Sequence, residues 1–203
     1  MKKFAAIYRE SYRELKNIRA VTAAAMFMAV SVVLGYFTIE AGPYLKIGFG
    51  NVVNQFVYYL FGPVLGGAYG GILDLVKFVA KPTGPYFPGY TFNAALAGVI
   101  YGTFLYRRPL SFARVLLVHL AIVVIVNMGL TTLWLSLTSG KAFLALLPVR
   151  AFKNLIKWPV DSMIVYLLVS RLEALGLTRA IRGRREEDGR SRYKAITERK
   201  KRI

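Results

Sequence analysis

The chain has 203 residues, 56% of them hydrophobic, a formal net charge of +18 and no cysteine. An ordinary soluble domain is roughly 45–50% apolar, so the excess argues for an integral membrane protein. The lack of cysteine excludes disulfide frameworks and thiolate metal sites, and a single histidine, His119, excludes a histidine-cluster metal site.

The chain opens on a basic segment, residues 1–19, carrying Lys2, Lys3, Arg9, Arg13, Lys16 and Arg19. A second basic segment, residues 173–203, closes it, with most charge between Arg179 and Arg202. Charge placed at the two ends of an apolar chain is read as cytoplasmic anchoring against anionic lipid, not as a nucleic-acid surface. The first segment is not expected to be a signal peptide, because the apolar stretch after it is long and no small-residue cleavage site ends it. The tail from Gly183 is poor in apolar residues and is expected to be loose or disordered.

Between the ends, residues 20–172 read as one transmembrane domain. A bilayer core of about 30 Å needs roughly 20 helical residues. The candidate spans are Ala20–Ile39, Val52–Leu65, Gly67–Ala80, Tyr90–Tyr106, Phe112–Leu137 and Arg150–Leu172. "FGPVLGGAYGG" (Phe61–Gly71) is the turn signal between the second and third. With six crossings, the N-terminus, the "YRRPLSFAR" loop (Tyr106–Arg114) and the tail fall on one side. These are the most basic connections, so both termini are expected in the cytoplasm of a multi-pass protein. The predicted fold class is all-α, integral membrane, a six-helix bundle.

Polar residues cluster toward the outer ends of these spans: Asn51, Asn54 and Gln55; Asp74, Lys77 and Lys81; Tyr90, Thr91 and Asn93; Asn127, Thr131 and Thr132; Arg150, Lys153, Asn154 and Lys157. A charge in hydrocarbon costs about 2.5–3.5 kcal/mol on insertion scales and usually turns to a bundle interior or a wet cavity. Arg150, Lys153 and Lys157 fall at i, i+3 and i+7, one helical stripe, and Asp74, Lys77 and Lys81 form another. Two such stripes face to face would line a pocket open to the outside. The structural alternatives are an Asp74–Lys77 pair along the helix, snorkelling of Arg150, Lys81 and Lys46, and a Lys157–Asp161 pair at i+4. His119 is expected to be a packed or hydrogen-bonded core residue.

The cationic excess of the stripes, with Lys46, Lys81 and Lys141 in the outer loops, favours an anion such as a carboxylate. Tyr44, Phe49, Tyr86, Phe87 and Tyr90 offer faces for a flat ring, or else form an interfacial belt. Asn51, Asn93, Asn154 and Asp74 supply edge-reading hydrogen bonds, so a flat heterocycle with a carboxylate tail fits best. The segment "KFVAKPTGPYFPGYTFN" (Lys77–Asn93) cannot continue as helix through Pro82, Pro85 and Pro88, and is expected to be a stiff loop, lid-like, over the pocket mouth.

Small residues repeat at i+4: Ala25 and Ala29; Gly62, Gly66 and Gly70; Gly98 and Gly102. Such faces let helices approach closely in lipid, either within the bundle or against another subunit. No GxxxxGK[ST], GxSxG or HExxH motif is present, so the sequence offers neither an ATPase nor a recognisable hydrolase. A capture protein of this kind needs a partner that supplies energy.

"LDLVKFVAKPTGPYFPGYTFNAALAGVIYG" (Leu73–Gly102) resembles the folate-specific substrate-binding subunit, or S component, of energy-coupling factor (ECF) transporters. "RAFKNLIKWPVD" (Arg150–Asp161), the Ala25–Ala29 pair and the six-span layout agree with it over about residues 18–175. The resemblance implies a six-helix bundle in a prokaryotic plasma membrane that binds folate from outside without a cofactor or metal. It implies partnership with a transmembrane coupling subunit, through Ala25 and Ala29, and with two cytoplasmic ATPase subunits. The matching site residues are Asp74, Lys77, Lys81, Tyr90 and Asn93 in one stretch and Arg150, Lys153, Asn154 and Lys157 in the other. Asp74 and the asparagines are expected to face the pterin, the lysines and Arg150 the benzoyl-glutamate. The competing readings are an S component for another vitamin or acidic heterocycle, a membrane enzyme relying on Asp74, Asp161 or Glu40, and a small channel or scaffold.

Overall fold

The computed structural model describes residues 2–36, 38–40, 46–82, 86–140 and 143–176. The expectations for Tyr44, Lys141, the loop tip at 83–85 and the basic tail beyond residue 176 lie outside the described residues. Two units are distinguished. Met1–Tyr166 holds the helices described below, and Leu167–Ile203 contains, in its described part, the last turns of the final helix and a turn ending at Gly176 (φ 75°).

The elements in order are α1 (Lys2–Leu15), α2 (Ile18–Tyr36), β1 (Thr38–Glu40), β2 (Lys46–Gly48), α3 (Phe49–Ala80), α4 (Pro88–Leu105), α5 (Phe112–Ile122), a π-helical segment (Val123–Leu130), α6 (Thr131–Ser139) and α7 (Phe143–Ala174). The strands form a small antiparallel hairpin pairing Thr38 with Gly48 and Glu40 with Lys46. Three described helical stretches are long and apolar enough to cross a membrane: Ile18–Tyr36, Gly50–Ala80 and Phe112–Thr138. The protein is thus a helical membrane protein.

The middle stretch is not one straight rod. Gly62 has φ 81° and ψ −170°, a left-handed conformation that excludes side chains, and Pro63 begins a new helix after it. Residues 15 apart on a straight helix would be about 22 Å apart. Yet Tyr69 donates to Asn54 Oδ1 at 3.1 Å, and the Tyr58 and Tyr69 rings meet at 5.9 Å. The chain therefore reverses at Gly62. The turn signal read from the sequence, Phe61–Gly71, contains this residue, and the glycine followed by proline is what sets the turn near its start.

The reversal is closed from outside. Ser11 of α1 is fully buried, donates to Phe61 O at 2.8 Å, and accepts from the backbone N–H of Val64 at 2.9 Å. A carbonyl ending one helix and an N–H starting the next are orphans of a helix break, and one hydroxyl from a third helix satisfies both. The Tyr8–Thr103 hydroxyl pair (3.0 Å) and the Glu10–Arg107 ion pair (3.1 Å) hold α1 to the far end of α4 and the loop after it.

The second half of α3 lies antiparallel on α4 through glycine. A Cβ on Gly102 would come within 2.5 Å of Gly62 C and Pro63 N, one on Gly98 would collide with Gly66 O, and one on Gly70 with Ala94 O. Without water to expel, helices in lipid associate by close packing, and these glycines let two backbones touch. The glycine repeats thus pack within the bundle. Ala25 and Ala29, by contrast, lie on the exposed part of α2.

At the opposite end, Tyr36 donates to Ala80 O at 3.1 Å, the Lys81 ammonium sits 5.8 Å from the Tyr36 ring centroid, and Phe87 meets Trp134 at 5.5 Å. Pro88 occupies the first turn of α4, where its missing N–H costs nothing.

Candidate functional site

Four helices line a half-open cavity of about 290 Å³. The first half of α3 contributes Asn51, Asn54, Gln55 and Tyr58, and α7 contributes Asn154, Lys157, Trp158 and Asp161. Both sets fall at i, i+3, i+4 and i+7, the spacing of a single helical face. Ala94 and Ala97 on α4 leave the space, with Tyr101 below them. His119, Ile122 and Val123 come from α5 and its junction with the π-helical segment, and Asn127 from within that segment.

Local bonding fixes several of these groups. Asn54 Oδ1 accepts from Ser31 at 2.7 Å and from Tyr69 at 3.1 Å, which orients the amide and leaves its NH2 to donate. Trp158 donates its indole N–H to Leu116 O at 2.9 Å, so its contribution to the wall is the ring. Tyr58 and Tyr101 stack at 5.9 Å and 17°, and Tyr101 meets the His119 ring edge-on at 6.0 Å. The Lys157 ammonium lies 3.6 Å from Asp161 Oδ2, the i+4 pair anticipated from spacing. At the end of the π-helical segment the Val126 carbonyl accepts both the N–H and the hydroxyl (2.8 Å) of Thr131, and the Thr132 hydroxyl donates to Asn127 O at 3.3 Å.

Of the nine site residues named from the sequence, Asn154 and Lys157 line the cavity. The others lie elsewhere. Asp74 accepts from Thr91 at 2.7 Å, and Thr91 in turn pairs with Tyr86 at 2.9 Å, tying α3 to the start of α4. Lys77 runs past Gly35 of α2, its Cε 3.9 Å from where a Cβ there would stand. Lys81 covers Tyr36 and is exposed, and Tyr90 packs on Phe87 at 5.9 Å. Asn93 is buried with both amide ends bonded, its NH2 to Thr131 at 3.0 Å and its oxygen to Trp134 at 3.1 Å. Arg150 donates to Thr132 at 3.4 Å, and Lys153 is half-buried on α7 outside the lining. Sequence reading passed over Tyr58, Tyr101 and Trp158 as aromatic walls, and gave His119 an ordinary core role although its Nδ1 has no partner. The shared i, i+3, i+4, i+7 pattern on 51–58 and 154–161 was the available signal.

No group of three or more metal-ligating side chains occurs among the described residues. A cavity that mixes amide ends, flat rings and one ion pair binds by shape and hydrogen bonds. The family described as "ECF transporter, substrate-specific component" matches residues 19–169. The chain belongs to that family. This substrate-specific component is a transporter subunit, not an enzyme. It is 34% identical to the folate transporter FolT of Clostridium novyi (strain NT) over 164 residues, 79% of this chain and 95% of that protein. It is 29% identical to FolT of Leuconostoc mesenteroides subsp. mesenteroides over 160 residues, 76% of this chain and 86% of that one. Among solved structures, the crystal structure of FolT bound with folic acid superposes with a TM-score of 0.68 at 34% identity, covering 76% of this chain and 95% of that one.

Proposed function

We propose that this substrate-specific component captures folate from outside the cell for an ATP-driven ECF importer. The observation that carries the reading is the likeness in both sequence and fold to a FolT that binds folic acid, over 95% of that chain. The cavity supports it: about 290 Å³ is near the small end of ligand sites, roughly 300–1,000 Å³, and suits a ring system better than a whole folate. Asn154 and Lys157 act inside it. Asp74 with Thr91, Asn93 with Trp134, and Arg150 with Thr132 brace the helices around it, with Lys77, Lys81 and Lys153 left to meet the carboxylate tail and Tyr90 to offer a ring face.

In this reading the bundle crosses the plasma membrane six times, with the two halves of α3 as separate crossings. Both termini are cytoplasmic. Contacts supporting this tie α1, the Gly62 reversal and the basic loop after α4 to one end. Residues 20–172 form the membrane domain between basic segments 1–19 and 173–203. A transmembrane coupling subunit docks on the exposed Ala25–Ala29 face and links it to two cytoplasmic ATPases.

The test is titration of the purified protein in detergent with folate, followed by heat or intrinsic fluorescence. One-to-one saturable binding without ATP or partner is expected. A folded protein that ignores folate but is stabilised by another vitamin overturns the folate assignment. Replacing Ala25 and Ala29 by tryptophan should abolish uptake in cells while leaving that titration unchanged; uptake that survives removes the docking assignment.

A further inference from the structure

The walls of the cavity are not wound alike. On α3 the lining residues Asn51, Asn54, Gln55 and Tyr58 stand at i, i+3, i+4 and i+7, and those of α7 from Asn154 to Asp161 repeat that spacing. On α5 and the π-helical segment they are His119, Ile122, Val123 and Asn127, at i, i+3, i+4 and i+8. The residue at i+7, Val126, is buried and does not line the space. At about 100° per residue, an α-helix with His119, Ile122 and Val123 on one face would carry Val126 there too, and would turn Asn127 aside by roughly a right angle. The i→i+5 bonding of a π turn winds more slowly, at about 80° per residue, so by Asn127 the chain lags by roughly 70° and the asparagine comes round to the place of the valine.

The slip is held in place from two sides. The Val126 carbonyl accepts both the N–H and the hydroxyl of Thr131, and Asn93 of α4 donates to that hydroxyl at 3.0 Å. Asn127 is half-buried, and among the described residues no hydrogen bond engages its side-chain amide. Other amides of the bundle are held: Asn54 accepts twice, and Asn93 is bonded at both ends. Packing alone would favour the valine and an ordinary α-helix. π turns are rare and concentrate at functional sites. We infer that the π turn exchanges Val126 for Asn127 in the cavity wall, and that Asn127 is a ligand-contacting residue whose amide offers the bound molecule a donor and an acceptor side by side. This rests on the folate reading. Thr131 and Asn93 then act on the ligand only through the turn they hold.

Deleting Met128 removes the extra residue of the π turn, lets α-helical bonding run through the segment and returns Val126 to the cavity, with the register beyond Thr131 kept. The ligand-free chain should then unfold at the temperature of wild type or higher, while folate binds about tenfold weaker or worse. Val126→Asn in the shortened chain puts an amide back on the cavity face and should recover most of that loss. Asn127→Leu keeps the length and the π turn; it should weaken folate about as much as the deletion, and it serves if the shortened chain does not fold. Folate titration and thermal unfolding in detergent read both quantities. Unchanged affinity in Asn127→Leu or in the folded deletion chain overturns the inference, as does a folded deletion chain that Val126→Asn fails to rescue. A wild-type chain that is folded but binds no folate overturns the folate reading instead, and this assignment with it.

Discussion

The seam between the second half of α3 and α4 and the cavity beside it share α4 but are built on opposite plans. Along the seam Gly62, Gly66 and Gly70 meet Gly102, Gly98 and Ala94 so closely that backbone touches backbone. On the cavity side, the small side chains of Ala94 and Ala97 leave space between the helices. The tightest packing thus adjoins the open space along α4. Stability and binding should accordingly respond to different residues.

Substituting the seam should cost most. Gly102→Leu leaves no room beside Gly62 and Pro63 and is expected to yield no folded protein. Gly102→Ala should lose about 3 kcal/mol or more, read by thermal unfolding in detergent. A tolerated leucine would show that the two backbones are not in contact. Asn154→Leu, on the cavity wall, should weaken folate by about tenfold to a hundredfold while the ligand-free unfolding temperature holds, because the loss is of hydrogen bonding to the ligand alone. Ser11→Ala leaves Phe61 O and the Val64 N–H without their hydroxyl. About 1–2 kcal/mol of stability should go, with folate affinity within twofold of wild type. The smallest effect is expected for Asp74→Asn. The amide oxygen can still accept from Thr91, so titration should show less than about a threefold change. A large loss there would extend the binding site beyond the cavity toward the loop before α4.

Much of this architecture was legible from spacing. Long apolar runs announced the helices, prolines 82, 85 and 88 marked the break before α4, and the glycine repeats marked a helix seam. The cavity was half legible. Charge drew attention to the stripe Arg150–Lys153–Lys157, whereas the face turned inward is Asn154–Lys157–Trp158–Asp161, sharing only Lys157 with it. A charged residue in a span has several remedies, a cavity, an ion pair, snorkelling or a neighbouring hydroxyl, and sequence does not distinguish them. Arg150 took Thr132, and Asp74 took Thr91. The π-helical segment had no signal in composition, because its i→i+5 backbone bonding, as from the Thr131 N–H to Val126 O, leaves the apolar pattern unmarked. The turn signal Phe61–Gly71 included Gly62 without singling it out, because Gly66, Gly67, Gly70 and Gly71 carry the same signal but serve packing instead.

The hydroxyl of Ser11 has a bearing on the order of synthesis. The reversal at Gly62 cannot be completed by its own residues, since the group that closes it is about fifty positions upstream. The first helix leaves the ribosome before the hairpin does, so the hydroxyl that closes the reversal is already synthesised when Phe61 and Val64 emerge.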